Sequence, residues 1–157
     1  MRVRHVMTKA PMSCLPSDSA QRAAAIMREA DAGVVPVVES ADSQKLVGIV
    51  TDRDLCMNVV AEGRDPTTTF VEQCMTRKVV SCGANDAVQK ATELMKENQI
   101  RRVPVVDDQG RLQGIVALAD VAERGDVKPT ETDETLKKVS APTAEPSKPR
   151  AQSRGAA

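Results

Sequence analysis

The chain has no tryptophan and no tyrosine, and its one phenylalanine is Phe70. Proteins that grip single strands or RNA loops stack bases on aromatic rings. Nucleic acid is therefore not an expected partner, and any base held here must sit between aliphatic groups. Charge of one sign is lacking too: 22 basic residues balance 22 acidic ones, which removes the electrostatic signature of a nucleic-acid or membrane-surface protein. No segment approaches the roughly 20 apolar residues of a spanning helix. The opening MRVRHVMTKAPM has no continuous apolar stretch of the signal-peptide kind. The four cysteines, Cys14, Cys56, Cys74 and Cys82, include no C-x-x-C pair, which argues against zinc or thioredoxin-type chemistry. Reduced thiols and a cytoplasmic location are the simplest expectation. His5 is the sole histidine and lies near the terminus. With no nucleophile–base pairing, Walker loop or metal-ligand cluster, neither an enzyme nor a metal site is expected.

What is present is one unit written twice. VMTKAPMSC at 6–14 answers CMTRKVVSC at 74–82, SDSAQRAAAIMRE at 17–29 answers NDAVQKATELMKE at 85–97, and VPVV at 35–38 answers VPVV at 103–106. These align at an offset of 68, whereas LVGIVTDRDL at 46–55 answers LQGIVALADV at 112–121 at an offset of 66. The length difference falls in polar sequence, ESADSQK against DDQGR, as in a hairpin loop.

Each copy reads as strand–helix–strand–strand–helix. The first helices carry apolar residues at helical spacing, Ala20, Ala23, Ala24 and Met27 in one copy and Ala87, Val88, Ala91, Leu94 and Met95 in the other. Asp18 with Gln21, and Asp86 with Gln89, have the spacing of capping boxes. VVPVV and VPVV are β-branched runs, and their proline favours an edge or a strand start. LVGIVT and LQGIVA are second strands. Second helices follow over 52–62, closed by Gly63, and 118–123, closed by Gly125. One unit of about 60 residues is marginal alone, so two copies sharing a core are expected. The fold class is α+β: two pseudo-symmetric β-α-β-β-α repeats, 1–65 and 66–125, packed through their sheets. Beyond Asp126 the sequence is rich in Pro, Ser, Thr, Lys and Glu, and reads as a disordered tail over 126–157 with a nascent helical turn around Glu134–Val139. From Lys137 onward it carries five basic residues against one acid, Glu145, which leaves room for a weak electrostatic contact, although a solubilising role is the simpler reading.

The chemistry-bearing stretch is GIVTDRDL. Thr51 and Asp54 have capping-box spacing and serve the helix on the simplest reading. The same pair at a helix N-terminus can also clasp a vicinal diol, the carboxylate accepting two O–H bonds. In the second copy, GIVALADV, Asp120 persists but Ala117 replaces the threonine. A helix tolerates a missing cap at about 1 kcal/mol; a ribose site loses a partner. The copies also differ before VPVV, with Gly33 and Val34 in one and Arg101 and Arg102 in the other.

The pattern MTRKVVSC…NDAVQKATELMKENQIRRVPVVDDQGRLQGIV…D resembles the cystathionine-β-synthase-type (CBS) domain, and the two copies are similar to a stand-alone CBS pair, or Bateman module. The resemblance covers about residues 6–122. It implies a non-catalytic regulatory module that binds an adenosine-type ligand between the repeats, with a crossed assignment of residues. One cleft then combines Thr51 and Asp54 for the ribose, Lys78, Val79 and Val80 flanking the base, and Arg101, Arg102 and Pro104 toward phosphate, with Arg53 as an optional aid. A second, weaker cleft combines Ala117 and Asp120 with Ala10, Pro11 and Met12, and with Gly33, Val34 and Pro36; it has one carboxylate and no cation for phosphate. One good site per chain is expected. The resemblance implies AMP, ADP or ATP as ligand, with NAD or S-adenosylmethionine as alternatives, no required cofactor, a homodimer and a regulated protein partner. The rival is a structural or protein-interaction module with a vestigial, ligand-free cleft, in which Arg101 and Arg102 pair with acids such as Asp54. A redox-responsive protein is a third reading, against which Cys14 and Cys82, recurring at the same place in both repeats, fit small packing residues better.

Overall fold

The opening segment of each repeat is built into the other repeat. The computed structural model describes residues 1–124 and 129–141. Its elements run β1 (Thr8–Lys9), α1 (Ala20–Ala30), β2 (Val34–Val38), β3 (Leu46–Thr51), α2 (Asp52–Leu55), β4 (Cys82–Gly83), α3 (Val88–Asn98), β5 (Arg102–Val106), β6 (Leu112–Ala117), α4 (Leu118–Arg124) and α5 (Pro129–Ser140). Thr8 of the first repeat pairs antiparallel with Ile115 of the second. Its counterpart Thr76 bridges Ile49 of the first. Short 3₁₀ turns, Val3–His5 and Val71–Gln73, repeat the exchange: Val3 N–H donates to Asp86 O, and Val71 N–H to Asp18 O.

The exchange divides the interior. Val3 and Val6 pack with Val88, Ala91, Met95, Val103 and Val116 of the second repeat. Val71 and Cys74 pack with Ala23, Ile26, Val35 and Val50 of the first. The expected shared core is therefore two cores, each completed by residues from the other repeat. Marginal single units become mutually dependent because neither buries its sheet face without the borrowed segment.

Each repeat holds an antiparallel hairpin, β2 with β3 and β5 with β6, with the same bulge after Val37 and Val105. The larger sheet runs β1-β6-β5-β4. Proline is tolerated inside β2 and β5 because each strand is an edge locally: the neighbouring parallel pairing begins only at Val37, opposite Cys14, and at Val105, opposite Cys82. The hairpin loops meet across the pseudo-twofold, Leu46 N–H donating to Gly110 O and Leu112 N–H to Gln44 O.

Gly48 and Gly114 let the crossing segments approach. A Cβ on Gly114 would lie 2.7 Å from Met7 Sδ and 2.8 Å from Thr8 O, and one on Gly48 2.7 Å from Met75 Sδ and 3.1 Å from Thr76 O. The shared G-I-V is thus a requirement of backbone proximity.

Several local expectations need correction. Ser19, not Asp18, caps α1, its Oγ accepting from Arg22 N–H. α3 has no side-chain cap, and Ala87 is its exposed N-cap residue. Asp18 and Asp86 instead accept from Leu15 N–H and Gly83 N–H, closing the turns before the helices. Ala24 is exposed and Ile26 is buried, because the apolar stripe of α1 runs through Ala20, Ala23, Ile26 and Met27. The helix after β3 is α for one turn only and continues as a π-helical turn, Cys56–Val60, before Gly63 at φ 64°. Gly125 lies outside the described residues.

The expectation of a disordered tail needs correction. Within the expected 126–157 span, Pro129–Ser140 forms α5, which packs on α3 and α4. Thr135 is fully buried there, its hydroxyl donating to Glu131 O at 2.7 Å, and Val139 is half-buried against the second core. Thr132 is half-buried on the same face, and a stripe of two threonines and one valine gives only a faint apolar periodicity. Residues 142–157 lie outside the described residues.

Candidate functional site

The β3–α2 junction starts from a cap. Thr51 leaves β3 in extended geometry, and its Oγ1 accepts from Asp54 N–H at 3.1 Å while Asp54 Oδ2 accepts from Thr51 N–H at 2.9 Å. The carboxylate is thus fixed at the start of a helix and keeps a second oxygen for another donor. In the second repeat Ala117 N–H donates to Asp120 Oδ2 at 3.3 Å, and no hydroxyl returns the bond.

The hairpin registers explain where the arginines sit. Val34 stands opposite Thr51 in one repeat, and Arg102 opposite Ala117 in the other. At the preceding position the two repeats share one joint, Asp52 N–H donating to Gly33 O at 3.0 Å and Leu118 N–H to Arg101 O at 2.9 Å. A Cβ on Gly33 would come within 2.7 Å of Asp52 Oδ2. Leucine replaces that aspartate in the second repeat, and a side chain as large as Arg101 is accommodated.

These elements surround a cleft of about 560 Å³ between the repeats. The structure brings all eight residues of the better expected site to its walls: Thr51 and Asp54, Lys78, Val79 and Val80, and Arg101, Arg102 and Pro104. Arg53 joins them. The walls carry four cations, Arg53, Lys78, Arg101 and Arg102, against two carboxylates, Asp52 and Asp54. The ion pairs among the described residues are Lys90–Asp86 and Arg111–Asp107, both elsewhere, so none of the four cations is neutralised by a side chain. The apolar part is aliphatic: Val34, Ile49, Val79, Val80, Ile100 and Val139. Chemically, the site offers a fixed carboxylate, an aliphatic slot and an excess of positive charge.

Sequence reasoning missed part of this wall. Ile49 shares a face with Thr51 by strand period, a signal that was available. Val139 comes from α5, which the tail composition hid. Gly33 and Val34 require correction: expected in the weaker cleft, they line this one, because β2 pairs with β3 beside Thr51. Of the other residues of that weaker cleft, Met12 is 38% exposed, Pro36 is buried with its carbonyl accepting from Cys14 N–H, and Asp120 is half-buried. Neither this cleft nor a second groove of about 900 Å³ along the π-helical turn includes Met12, Pro36 or Asp120.

All four cysteines are free thiols. Burial pushes the Cys14 thiol up to about 12 and the Cys82 thiol to about 11, each aided by a nearby carboxylate, Asp18 and Asp86. Cys74 is raised as well, first by burial and then by Asp54. Cys56 is exposed. Among the described residues no group of three or more His, Cys, Asp or Glu side chains is placed to hold a metal ion, and no helix is long and apolar enough to cross a membrane.

A family model for the CBS domain matches residues 3–61 and 71–125. CBS domain-containing protein YhcV of Bacillus subtilis is 40% identical over 120 residues, which span 76% of this chain and 82% of that protein. Among solved structures, Hypoxic Response Protein I with two coordinated zinc ions superposes with a TM-score of 0.71 at 33% identity, covering 79% of this chain and 98% of the other. A CBS domain pair in complex with 5-methylthioadenosine and S-adenosyl-L-methionine superposes with a TM-score of 0.70 at 29% identity, covering 78% and 94%.

Proposed function

Because the chain belongs to the CBS domain family, as a pair of CBS repeats of the regulatory-module type, we propose that it is a non-catalytic sensor of an adenine nucleotide. AMP, ADP or ATP binds in the 560 Å³ cleft, and a change in the packing of the repeats carries the signal to a protein partner. The observation that carries this reading is the meeting, in one cleft, of the Thr51–Asp54 pair with four cations that have no ion-pair partner among the described residues. The ribose hydroxyls donate to Asp54, the adenine lies against Val79, Val80 and neighbouring aliphatic groups, and the phosphates meet Arg101 and Arg102. A guanidinium fork suits a phosphate's bidentate geometry. The pair solved with adenosyl ligands supports an adenosine-type ligand in this architecture. The charge excess favours a phosphate-bearing nucleotide over S-adenosylmethionine, which has no phosphate, since an anion gains more from unpaired cations.

The vestigial-cleft rival needs Arg101 and Arg102 paired with acids such as Asp54, and no such pair lies among the described residues. A homodimer fits the exposed Met57 and Val60, 43% and 73% accessible on the π-helical turn, and a cytoplasmic location fits the free thiols. The test is thermal unfolding with AMP, ADP, ATP, NAD and S-adenosylmethionine in turn. A ligand at 100 times its Kd adds roughly 2.7 kcal/mol to the stability. An unchanged Tm with all five at millimolar concentration overturns the reading.

A further inference from the structure

We infer that the last turn of α5 is the third wall of the cleft, and that Ser140 positions Arg101 for the ligand, so that ligand binding and α5 docking reinforce one another. The inference rests on the nucleotide reading and adds to it the element that reports occupancy.

Three observations converge on that turn. Arg101 Nη2 donates to Ser140 Oγ at 2.9 Å, a contact spanning 39 residues of chain. Val139, the preceding residue, lines the cleft and also packs against the second core. The cleft measures about 560 Å³ with α5 in place, so the docked helix bounds the site without filling it.

The physical consequence follows from how Arg101 is otherwise held. Its side chain is exposed and has no carboxylate partner among the described residues. A free arginine loses about 1.5–2 kcal/mol of side-chain entropy when a ligand fixes it. Ser140 removes part of that cost beforehand by holding one edge of the guanidinium. Arg101 has five N–H donors, so the remaining edge stays open to phosphate oxygens. The C-terminal end of the helix, the negative end of its dipole, favours a cation there.

Docking of α5 is weak by construction. It buries Thr135 and half-buries Thr132 and Val139, of which only Val139 is apolar, while Leu136 remains 47% exposed. An element with so few buried apolar contacts belongs to the low-stability end of a fold and opens locally. A ligand that binds the docked form better must, by linkage, hold α5 down by the same factor that α5 strengthens the ligand. Ser140 is a positioning residue: it acts through Arg101.

The experiment combines amide hydrogen exchange over 130–141 with calorimetric titration, using full-length protein and ATP, AMP and adenosine as probes. Saturating ATP is expected to slow exchange across 132–140. Ser140→Ala should weaken ATP and AMP about fivefold, the size of one hydrogen bond, leave adenosine unchanged, and be rescued by Ser140→Thr. Thr135→Arg, at a buried position outside the cleft lining, is expected to undock the helix and should weaken ATP at least as much. ATP that binds but leaves exchange over 132–140 unchanged or faster overturns the third wall and leaves the nucleotide reading standing. An equal loss for adenosine in Ser140→Ala overturns the positioning role. No binding of ATP or AMP to the wild type or to Thr135→Arg overturns the nucleotide reading, and this inference with it.

Discussion

Thr51 and Asp54 bond each other twice, through Thr51 N–H to Asp54 Oδ2 at 2.9 Å and Asp54 N–H to Thr51 Oγ1 at 3.1 Å. The helix cap and the proposed diol clasp therefore share one geometry, and substitution separates them. Thr51→Ala should cost about 1 kcal/mol of stability through the lost cap and also weaken nucleotide binding. Thr51→Ser should restore both. Urea unfolding with and without ATP measures the two effects. A stability loss with full binding would reduce Thr51 to a cap.

Gly114 and Gly48 lie where the exchanged segments cross, within 3 Å, at a built Cβ, of Met7 Sδ and Met75 Sδ respectively. Gly114→Ala should destabilise by roughly 1–3 kcal/mol, as overpacking does, because Thr8 O is backbone and cannot swing away. Gly63→Ala should lose stability for a different reason, its φ of 64° with open space around it. Gly114→Ala matching wild type in urea unfolding would contradict the close crossing.

The thiols predict both a labelling pattern and a pH dependence. Of the four cysteines only Cys56 is exposed, so iodoacetamide at pH 8 should modify one thiol per native chain rapidly, and four after unfolding. Cys14 and Cys82 are held near 12 and 11 in the fold against an ordinary 9.0. The folded state keeps protons that the unfolded chain releases. Their contribution is thus fully present below pH 9 and falls as pH rises toward 11 for Cys82 and 12 for Cys14. Replacing both with alanine should flatten the loss of Tm over that window.

The repeat carried most of the fold into view. An offset of 68, then 66, located the paired strands, helices and hairpin loops, and the resemblance of GIVTDRDL, MTRKVVSC and IRRVPVV to family motifs singled out eight residues that all line one cleft. The exchange of opening segments was hidden, because Thr8 and Thr76 look the same whichever repeat they pair with, and only the fold decides. The capping boxes failed for a similar reason: an aspartate that closes a preceding turn has the spacing of one that caps the helix. Gly33 and Val34 went to the wrong cleft since sequence assigns a residue to one repeat, whereas β2 places its edge beside Thr51. Of α5 only the turn around Glu134–Val139 was legible, because the helix docks through Thr132, Thr135 and Val139, two of them polar.

The central claim, one nucleotide site per chain built from the Thr51 end of the first repeat and the arginines of the second, is tested most directly by calorimetric titration of ATP into wild type, Asp54→Ala, Arg102→Ala and Asp120→Ala. The account predicts one site per chain, abolished by Asp54→Ala and by Arg102→Ala and nearly unaffected by Asp120→Ala. Two sites per chain, or equal losses from Asp54→Ala and Asp120→Ala, would contradict it.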